Sequence, residues 1–230
     1  MAGDIKASVV MNSYKEKPEY FVQAAESYLN QKGVSVELIV STVRGDRCIE
    51  LCKQYPVKIV VSETPGIWHQ LNAGMQKTTG DWIVYASSND VSIPEKLITE
   101  INRCIKIGKE VCYSTFHRCN KDLKITNTVT LGEYDYESHL KKNYVSDCSL
   151  FSKRLKDKYL PFKEEYGNSA YHDFWLRIYE GEGNVFTYNP QPTWHYRIYN
   201  ESRHILKKTN KELLAKEKKQ KEKMLKSHEK

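Results

Sequence analysis

Segments typical of strands and of helices alternate four times in the first half of the chain, with short links between them. This alternation predicts parallel strands covered by helices, because a crossover helix is the usual connection between parallel strands. In such a sheet, ligands bind in the crevice beyond the carboxyl ends of the strands. The predicted strands are residues 5–12, 34–43, 58–62 and 82–86, and the predicted helices are residues 18–32, 46–54, 67–78 and 94–107.

The fourth predicted strand ends in a polar cluster. Residues 82–86 are apolar and β-rich, and residues 87–90, Ser-Ser-Asn-Asp, follow at once. Oxygen-bearing side chains at a strand end can hold a hard cation and, through it, a phosphate. The same residue types occur in ordinary strand-to-helix turns, in which Ser92 would cap the helix that begins at Pro94. Both interpretations stay open from this stretch alone.

After Gly108 the alternation gives way to shorter segments, of which several are β-rich and one is helical. The β-rich segments predict strands with antiparallel or irregular partners. The predicted strands are residues 110–117, 123–131, 145–152 and 185–188, the predicted helix is residues 170–179, and the last ordered motif is Trp194-His195-Tyr196-Arg197.

The positive charge is concentrated at the end of the chain. Residues 206–230 contain ten Lys and four Glu, which accounts for most of the formal net charge of +7. The rest of the chain is close to neutral, so we expect no nucleic-acid partner. We expect a basic helix whose last fifteen or so residues are solvated and partly frayed, because they bury little apolar surface. A second interpretation is that this segment docks on an anionic membrane surface or on a protein partner.

The length of 230 residues suits one domain. The six cysteines are dispersed without a pair of CxxC motifs, which indicates reduced, packed thiols rather than a zinc site. The sequence begins without an apolar signal segment, and no apolar run is as long as a membrane span. We therefore expect a cytoplasmic protein, with any membrane contact peripheral.

Six short motifs follow one another along the chain. They are Asn12-Ser13-Tyr14, Ser27-Tyr28-Leu29-Asn30-Gln31, Glu37-Leu38-Ile39-Val40-Ser41, Asn72-Ala73-Gly74, Gly80-Asp81-Trp82-Ile83 and Asp173-Phe174-Trp175-Leu176-Arg177. Their order and spacing resemble the family 2 glycosyltransferases of the GT-A fold over about residues 5–204. The resemblance implies a single GT-A-like α/β/α domain with a mostly parallel twisted sheet and a small antiparallel region. Residues 1–108 would form the nucleotide-sugar-binding half, residues 109–205 the acceptor and catalytic half, and residues 206–230 the basic C-terminal helix or tail.

The chain departs from the family pattern at its acidic motifs. The Asp-x-Asp motif of the family becomes Ser87-Ser88-Asn89, so that only Asp90, one position further on, retains a carboxylate. The acidic pair that holds the nucleobase in relatives becomes Ser41-Thr42, and Asp46 follows further along.

The resemblance implies an inverting transfer of sugar from a nucleoside-diphosphate sugar, preferentially a UDP-sugar, to a hydroxyl of a glycan or other acceptor. Asp173 would be the general base that takes the proton of the acceptor. Its alternative role is that of a first-turn acid that complements the helix dipole. A divalent cation, Mn²⁺ or Mg²⁺, would sit on the diphosphate, bound weakly because Asn is a neutral ligand.

The predicted cation ligands are Asp90, Asn89 and His195. For His195 the alternative is a satisfied histidine in the aromatic patch around Trp194. The predicted donor-binding residues are Ser13, Tyr14, Arg44, Asp46, Trp68, Asn72, Ser88, Asn89 and Arg197.

Two other functions remain open. The weakened acidic motifs favour a catalytically inactive GT-A-like module that binds a nucleotide or carbohydrate. A nucleotidyltransferase usually has a glycine-rich phosphate loop after the first strand, and residues 12–16, Asn-Ser-Tyr-Lys-Glu, contain no glycine. The sequence therefore favours a glycosyltransferase, with the inactive module as the alternative.

Overall fold

The computed structural model describes residues 5–200 and 210–228, which form two sheets and their covering helices. The strands are β1 Lys6–Asn12, β2 Ser35–Val43, β3 Val57–Ser62, β4 Trp82–Ser87, β5 Val91–Ser92, β6 Val111–Ser114, β7 Phe116–Cys119, β8 Ile125–Val129, β9 Leu150–Ser152, β10 Phe186–Asn189 and β11 Trp194–Arg197. The helices are α1 Pro18–Leu29, α2 Cys48–Cys52, α3 Ile67–Met75, α4 Lys96–Ile107, α5 Tyr136–Lys141, α6 Lys153–Tyr159, α7 Ala170–Glu182 and α8 Lys211–Lys226, with a 3₁₀ segment at Glu164–Ser169. Within the described ranges, none of these helices has both the length and the apolar character that crossing a bilayer requires.

The central sheet has seven strands in the order β10-β6-β9-β4-β1-β2-β3. All pairs in it are parallel except those of β9, which runs antiparallel to both β4 and β6. The predicted α/β fold with a mostly parallel sheet is therefore confirmed. Because β9 and β6 come from the second half of the chain, the two predicted halves share one sheet.

Apolar side chains cover both faces of this sheet. Val9 and Val10 are neighbours on β1, yet they belong to opposite cores because successive strand residues point to opposite faces. Phe21 of α1 lies in the core of Val9, whereas Leu71 of α3 and Trp175 of α7 lie in the core of Val10. The result is a three-layer α/β/α arrangement.

A second, four-stranded sheet has the order β5-β11-β7-β8. The prediction of one strand over residues 110–117 is wrong here, because β6 and β7 belong to different sheets. The chain passes between the sheets at Thr115. Its backbone N–H donates to the carbonyl of Asn189 over 3.0 Å, and its carbonyl accepts from the N–H of Thr193 over 3.2 Å.

Two other local predictions also need correction. Only the last three residues of the predicted strand 145–152 form β9, and the preceding residues form a loop at the edge of a cleft. Helices α5 and α6 were not predicted, although side-chain caps mark where both begin. The Asp135 carboxylate accepts from the N–H of Ser138 over 2.8 Å, and the Ser152 hydroxyl accepts from the N–H of Leu155 over 3.2 Å.

The basic C-terminal segment is not frayed where the structure describes it. Helix α8 packs against the 3₁₀ segment and α7, and Met224 is fully buried in the core on that side. Gly167 permits the close approach of α8, because a Cβ atom at that position would collide with the side chain of Gln220. His228 is 8% exposed and is also part of this contact. The segment is therefore a helix with mostly exposed side chains, as predicted, but one face of it is docked on the domain instead of being frayed.

A buried ion pair joins α4 to both sheets. Lys96 Nζ lies 2.5 Å from Glu100 Oε1, and both side chains are completely buried. The same oxygen accepts hydrogen bonds from the hydroxyls of Ser114, over 3.0 Å, and Thr193, over 2.9 Å. Ser114 ends β6 and Thr193 precedes β11, so one carboxylate holds the two sheets and the helix together.

We expect Lys96→Met to lower the free energy of unfolding by about 3–5 kcal/mol, because it leaves the Glu100 carboxylate buried without its cation. Urea unfolding followed by far-UV circular dichroism measures this change. Lys106→Met, on the exposed face at the end of the same helix, is the matched control and should change the free energy by less than about 1 kcal/mol. The double variant Lys96→Met/Glu100→Leu should recover most of the loss. If Lys96→Met and Lys106→Met lower the free energy of unfolding equally, the buried Lys96–Glu100 pair does not have the proposed stabilising role.

Candidate functional site

The carboxyl ends of β1, β2 and β4 open into two adjoining cavities. The outer cavity has a volume of about 770 Å³ and is lined by the loops after β1, β2 and β3, including Arg44 and Asp46. The central cleft has a volume of about 790 Å³ and is lined in part by residues 87–90. Tyr14 and Pro65 line both cavities, so the two form one continuous depression. This is the place where an α/β sheet is expected to bind a ligand.

Asp46 fixes the shape of the outer cavity. One of its carboxylate oxygens accepts from the backbone N–H of Lys15 over 2.6 Å, and the other accepts from the N–H of Cys48 over 2.9 Å. Arg47 also donates to the carbonyl of Lys15 over 3.0 Å. Arg44 lies at the exposed rim, 3.6 Å from Glu63. The loops after β1 and β2 are thus tied together, and Asp46 serves the site as a brace.

The floor of the central cleft is the polar turn after β4. The Asn89 side chain accepts from the Ser87 hydroxyl over 2.7 Å and donates to the Tyr199 hydroxyl over 3.0 Å. Asp90 is 2% exposed and accepts from the backbone N–H of Arg197 over 2.9 Å. Burial raises the pKa of Asp90 to about 8, against the lowering effect of that hydrogen bond. Burial therefore favours the neutral form of the Asp90 carboxyl.

The predicted ligands do not fit a divalent cation held by the protein. Asn89 already bonds Ser87 and Tyr199, and Asp90 is the one carboxyl in the predicted set, so the protein itself supplies few ligands for a hard cation. His195 does not line the cleft, and its ring packs against His117 with the ring centres 5.5 Å apart. In the part of the chain that the structure describes, no group of three or more His, Cys, Asp or Glu side chains could hold a metal. The cation stays a prediction without support from these side chains.

Arg197 lies beneath the cleft rather than across it. Its Nε donates to the carbonyl of Asn89 over 2.9 Å, and its two terminal nitrogens donate to the carbonyl of Lys121, over 2.7 Å, and to Gln23, over 2.6 Å. The guanidinium also lies 4.1 Å from the ring centre of Tyr20. Its predicted contact with a diphosphate would therefore require the loss of existing partners.

Asp173 is fully buried, and this burial disagrees with its predicted role as general base. Its carboxylate is fully buried and bonds Arg177 over 2.7 Å and His228 over 3.2 Å, with Lys163 at 3.4 Å. Burial alone would raise the pKa of Asp173, but the His228 bond and the Arg177 charge outweigh burial and lower the pKa. A weakly basic carboxylate that does not line the cleft cannot reach an acceptor hydroxyl. Asp173 lies in the first turn of α7, as the alternative interpretation has it, and it is in addition paired with charged side chains.

Two predicted donor-binding residues also lie away from the cavities. Ser13 is fully buried under the loop after β1, although Tyr14 beside it is 52% exposed. The Asn72 amide both donates to and accepts from the backbone of Phe162, over 3.0 and 2.9 Å, and so braces the loop before the 3₁₀ segment. Both residues support the walls of the site without facing it.

Trp68 and Ser88 do line the central cleft, as predicted. Trp68 is 8% exposed, and within the described residues its indole N–H has no hydrogen-bond partner. A buried donor without a partner at a cavity wall is available to a ligand.

Sequence reasoning missed much of the cleft wall. The missed residues are Glu16, Asn143, Asp147, Asn168, Tyr171, Tyr196 and Tyr199. Asp147 is an exposed carboxylate, and its charge raises the pKa of Asp90 and of Tyr196, which places it near both. The pair Ser146-Asp147 is typical of a turn, and this signal was overlooked because residues 145–152 were predicted as one strand.

We expect His228→Gln to lower the free energy of unfolding by about 1–3 kcal/mol at pH 5.5, because it removes a hydrogen bond between two charged groups. Burial alone would lower the pKa of His228, but its bonds to Asp173 and Glu180 outweigh burial and raise it. The stabilisation that His228 contributes is therefore complete below its pKa in the unfolded chain, about 6.5. It is lost as the pH rises through the higher pKa that His228 has in the folded protein. Denaturant unfolding of the variant and the wild type at several pH values measures the difference.

The matched control is His117→Gln, which replaces a histidine that bonds the Thr128 hydroxyl. Its effect on the free energy of unfolding should be smaller at pH 5.5. A difference between wild type and His228→Gln that grows above pH 7 would contradict the proposed pairing.

Comparison with known proteins gives a consistent result. The family described as Glycosyl transferase family 2 matches residues 8–160. No curated protein matches the sequence. S. aureus TarS 1–349 in complex with UDP is 16% identical, with a TM-score of 0.70 over 86% of this chain and 62% of that chain. The complex of TarS 1–349 with UDP-GlcNAc is 15% identical, with a TM-score of 0.70 over 88% of this chain and 61% of that chain.

The chain thus spans about three fifths of the TarS 1–349 structures, and at this identity the likeness to TarS shows the fold alone. The family match is independent of it and covers more than half of the chain. The chain therefore belongs to glycosyl transferase family 2.

Proposed function

We propose that the chain transfers a sugar, with inversion, from a UDP-linked donor to the hydroxyl of a glycan or other acceptor. The observation that carries this proposal is the continuous depression at the carboxyl ends of β1, β2 and β4, formed by two cavities of about 770 and 790 Å³. Family membership supports sugar transfer, and the TarS structures, which contain UDP and UDP-GlcNAc, support UDP as the nucleotide.

In this proposal the nucleotide occupies the outer cavity. Tyr14 is exposed between the two cavities and can stack on a nucleobase. Lys15, Arg44 and Arg47 line the same cavity and supply positive charge for the diphosphate. The sugar then lies in the central cleft, where the unpartnered indole N–H of Trp68 is available to one of its hydroxyls.

Asp147 takes the place of Asp173 as the general base in this proposal. It is an exposed carboxylate at the edge of the central cleft, whereas Asp173 does not line it. As the acceptor oxygen attacks the anomeric carbon, Asp147 takes the proton of the acceptor hydroxyl. The bond from the anomeric carbon to the diphosphate oxygen breaks, and UDP leaves with that electron pair. Attack from the opposite face inverts the anomeric configuration.

The second candidate function is a catalytically inactive module that binds a nucleotide or carbohydrate. It is favoured by the burial of Asp173 and by the Ser87-Ser88-Asn89 sequence at the position of the metal motif. Both functions require the depression to bind a donor, so nucleotide binding does not separate them. Turnover of the donor does.

Calorimetric titration with UDP, with and without Mn²⁺, tests the donor site. We expect UDP to bind more tightly than GDP or CMP, and Mn²⁺ to change its Kd by less than about tenfold, since the Asn89 amide is already bonded to Ser87 and Tyr199. Tyr14→Ala should weaken UDP binding by about tenfold or more, through loss of 1–3 kcal/mol of base stacking. Tyr55→Ala is the control, since Tyr55 bonds Glu26 and lies outside both cavities. If UDP binds only in the presence of Mn²⁺, the expected independence from the cation is wrong, and Asp90 becomes the residue to mutate.

Asp147→Asn tests the catalytic assignment. We expect it to lower the rate of UDP release from UDP-GlcNAc, with water as acceptor, by a factor of about 10²–10⁴. The affinity for UDP should stay within about threefold of wild type, because a base acts in the transition state. Asp122→Asn, at an exposed turn, is the matched control. Unchanged turnover in Asp147→Asn would exclude Asp147 as the base, and no turnover in the wild type would favour the inactive module.

A further inference from the structure

A second groove leads away from the central cleft along the second sheet. It has a volume of about 280 Å³ and is lined by Phe116, Arg118, Lys142, Trp194 and other residues of β7, β8, β11 and the loop before β9. Asn143, Asp147 and Tyr196 line both this groove and the central cleft. We call it the second-sheet groove. A molecule in it can reach Asp147 without crossing the donor cavity.

The charged groups that face this groove are mainly cationic. Arg118 is half-buried and Lys142 is exposed, and neither has an ion-pair partner among residues 5–200 and 210–228. Arg118 and Tyr196 line this groove together. Among the described residues that line this groove, Asp147 is the one acid. The arrangement favours a ligand that carries negative charge.

Two buried N–H groups at the groove lack partners. Trp194 is 2% exposed, and no described residue accepts from its indole N–H. The Nε atom of Arg118 is also buried, and it too has no acceptor in the described part of the chain. Both residues line the groove, so these unpaired N–H dipoles add positive partial charge beside its cations.

Aromatic rings form the apolar part of the groove. Phe116 stacks on Trp194 with ring centres 4.5 Å apart, and its ring meets Tyr196 edge to face at 6.2 Å. Phe116 and Tyr196 are only partly buried, so the groove presents aromatic surface beside its cations. Aromatic faces with nearby hydrogen-bond donors suit the C–H faces and hydroxyls of sugar rings.

Another groove lies beside α8, and its polar groups can be compared with those of the second-sheet groove. His69 and Glu164 line the groove beside α8 and form an ion pair of 2.7 Å, and Asn168 there bonds Glu217. Trp68, whose indole N–H is unpartnered among the described residues, also lines this groove, but the acids Glu164 and Glu217 there are paired within the protein. The unpaired groups of the second-sheet groove make that groove the stronger candidate for a ligand.

We propose that the second-sheet groove binds an acidic saccharide, whose carboxylate or phosphate contacts Arg118 and Lys142. The sugar ring lies against Phe116 and Tyr196, and a hydroxyl extends to Asp147 at the junction with the central cleft. That this saccharide is the acceptor rests on the proposed glycosyl transfer. Its binding in the groove does not.

The test uses the full-length chain and three probes: trigalacturonate, glucose 6-phosphate and the neutral maltotriose, each titrated by calorimetry without donor. We expect at least one acidic probe to bind at least tenfold more tightly than maltotriose, and to bind more weakly in 0.3 M than in 0.05 M NaCl. Preference for trigalacturonate identifies a carboxylate as the anionic group, and preference for glucose 6-phosphate identifies a phosphate.

Arg118→Gln and Lys142→Gln should each raise the Kd of the acidic probe by about fivefold or more, while leaving the Kd of UDP unchanged. Lys124→Gln, an exposed cation in the turn just before β8 and outside the groove, is the matched control and should leave both constants unchanged. The proposal is overturned if no acidic probe binds, if maltotriose binds equally well, or if the control variant has the same effect. Acidic-probe binding without turnover of UDP-GlcNAc would keep this proposal and reject the proposed transfer.

Discussion

The buried Lys96–Glu100 pair is the interaction on which the geometry of the site depends. Glu100 Oε1 accepts from Lys96, Ser114 and Thr193, which belong to α4, to the end of the first sheet and to the start of β11. A carboxylate without solvent contact is tolerated only when these donors are all in place. The docking of the second sheet and the neutralisation of Glu100 are therefore the same event. The central cleft lies where the two sheets meet, so its shape follows from that docking.

A second group of charges explains why an acid that matches a family motif does not face the cleft. Asp173 lies among Arg177, Lys163 and His228, which come from α7, the loop before the 3₁₀ segment and the end of α8. These cations lower its pKa and exclude water from it. The carboxylate thus fastens α8 to the domain, and α8 in turn supports the 3₁₀ segment that carries Asn168 to the cleft. The acid is structural, although its sequence neighbourhood suggested catalysis.

The predictable parts of the fold are those in which the local pattern of apolar and polar residues matches the burial of the same residues in the structure. The strand at residues 82–86 and its polar end are read directly from hydrophobicity, because both faces of that strand are covered. The change of sheet at Thr115 was not predictable, since residues on both sides of it keep a β-like pattern and only long-range partners reveal the break. The position of Asp147 at the cleft was not predictable for a related reason. The surroundings of an acid in a loop depend on residues that are distant in the sequence. The docking of α8 depends on Met224 and His228, two buried residues in an otherwise charged segment.

The distribution of charge across the site favours an anionic ligand group at each of its two openings. The outer cavity carries Lys15, Arg44 and Arg47, and the second-sheet groove carries Arg118 and Lys142. The central cleft between them contains carboxyl groups and neutral amides and hydroxyls, and its one cation among the described residues, Arg197, is bonded to the carbonyls of Asn89 and Lys121 and to Gln23. Two anionic molecules would each place their charged group at an opposite end and bring their neutral, reacting portions together in the middle. Such an arrangement keeps the negative charges of donor and acceptor apart, and this separation lowers their mutual repulsion when both are bound. It also leaves Asp147 between them, where a carboxylate is repelled least by either anion.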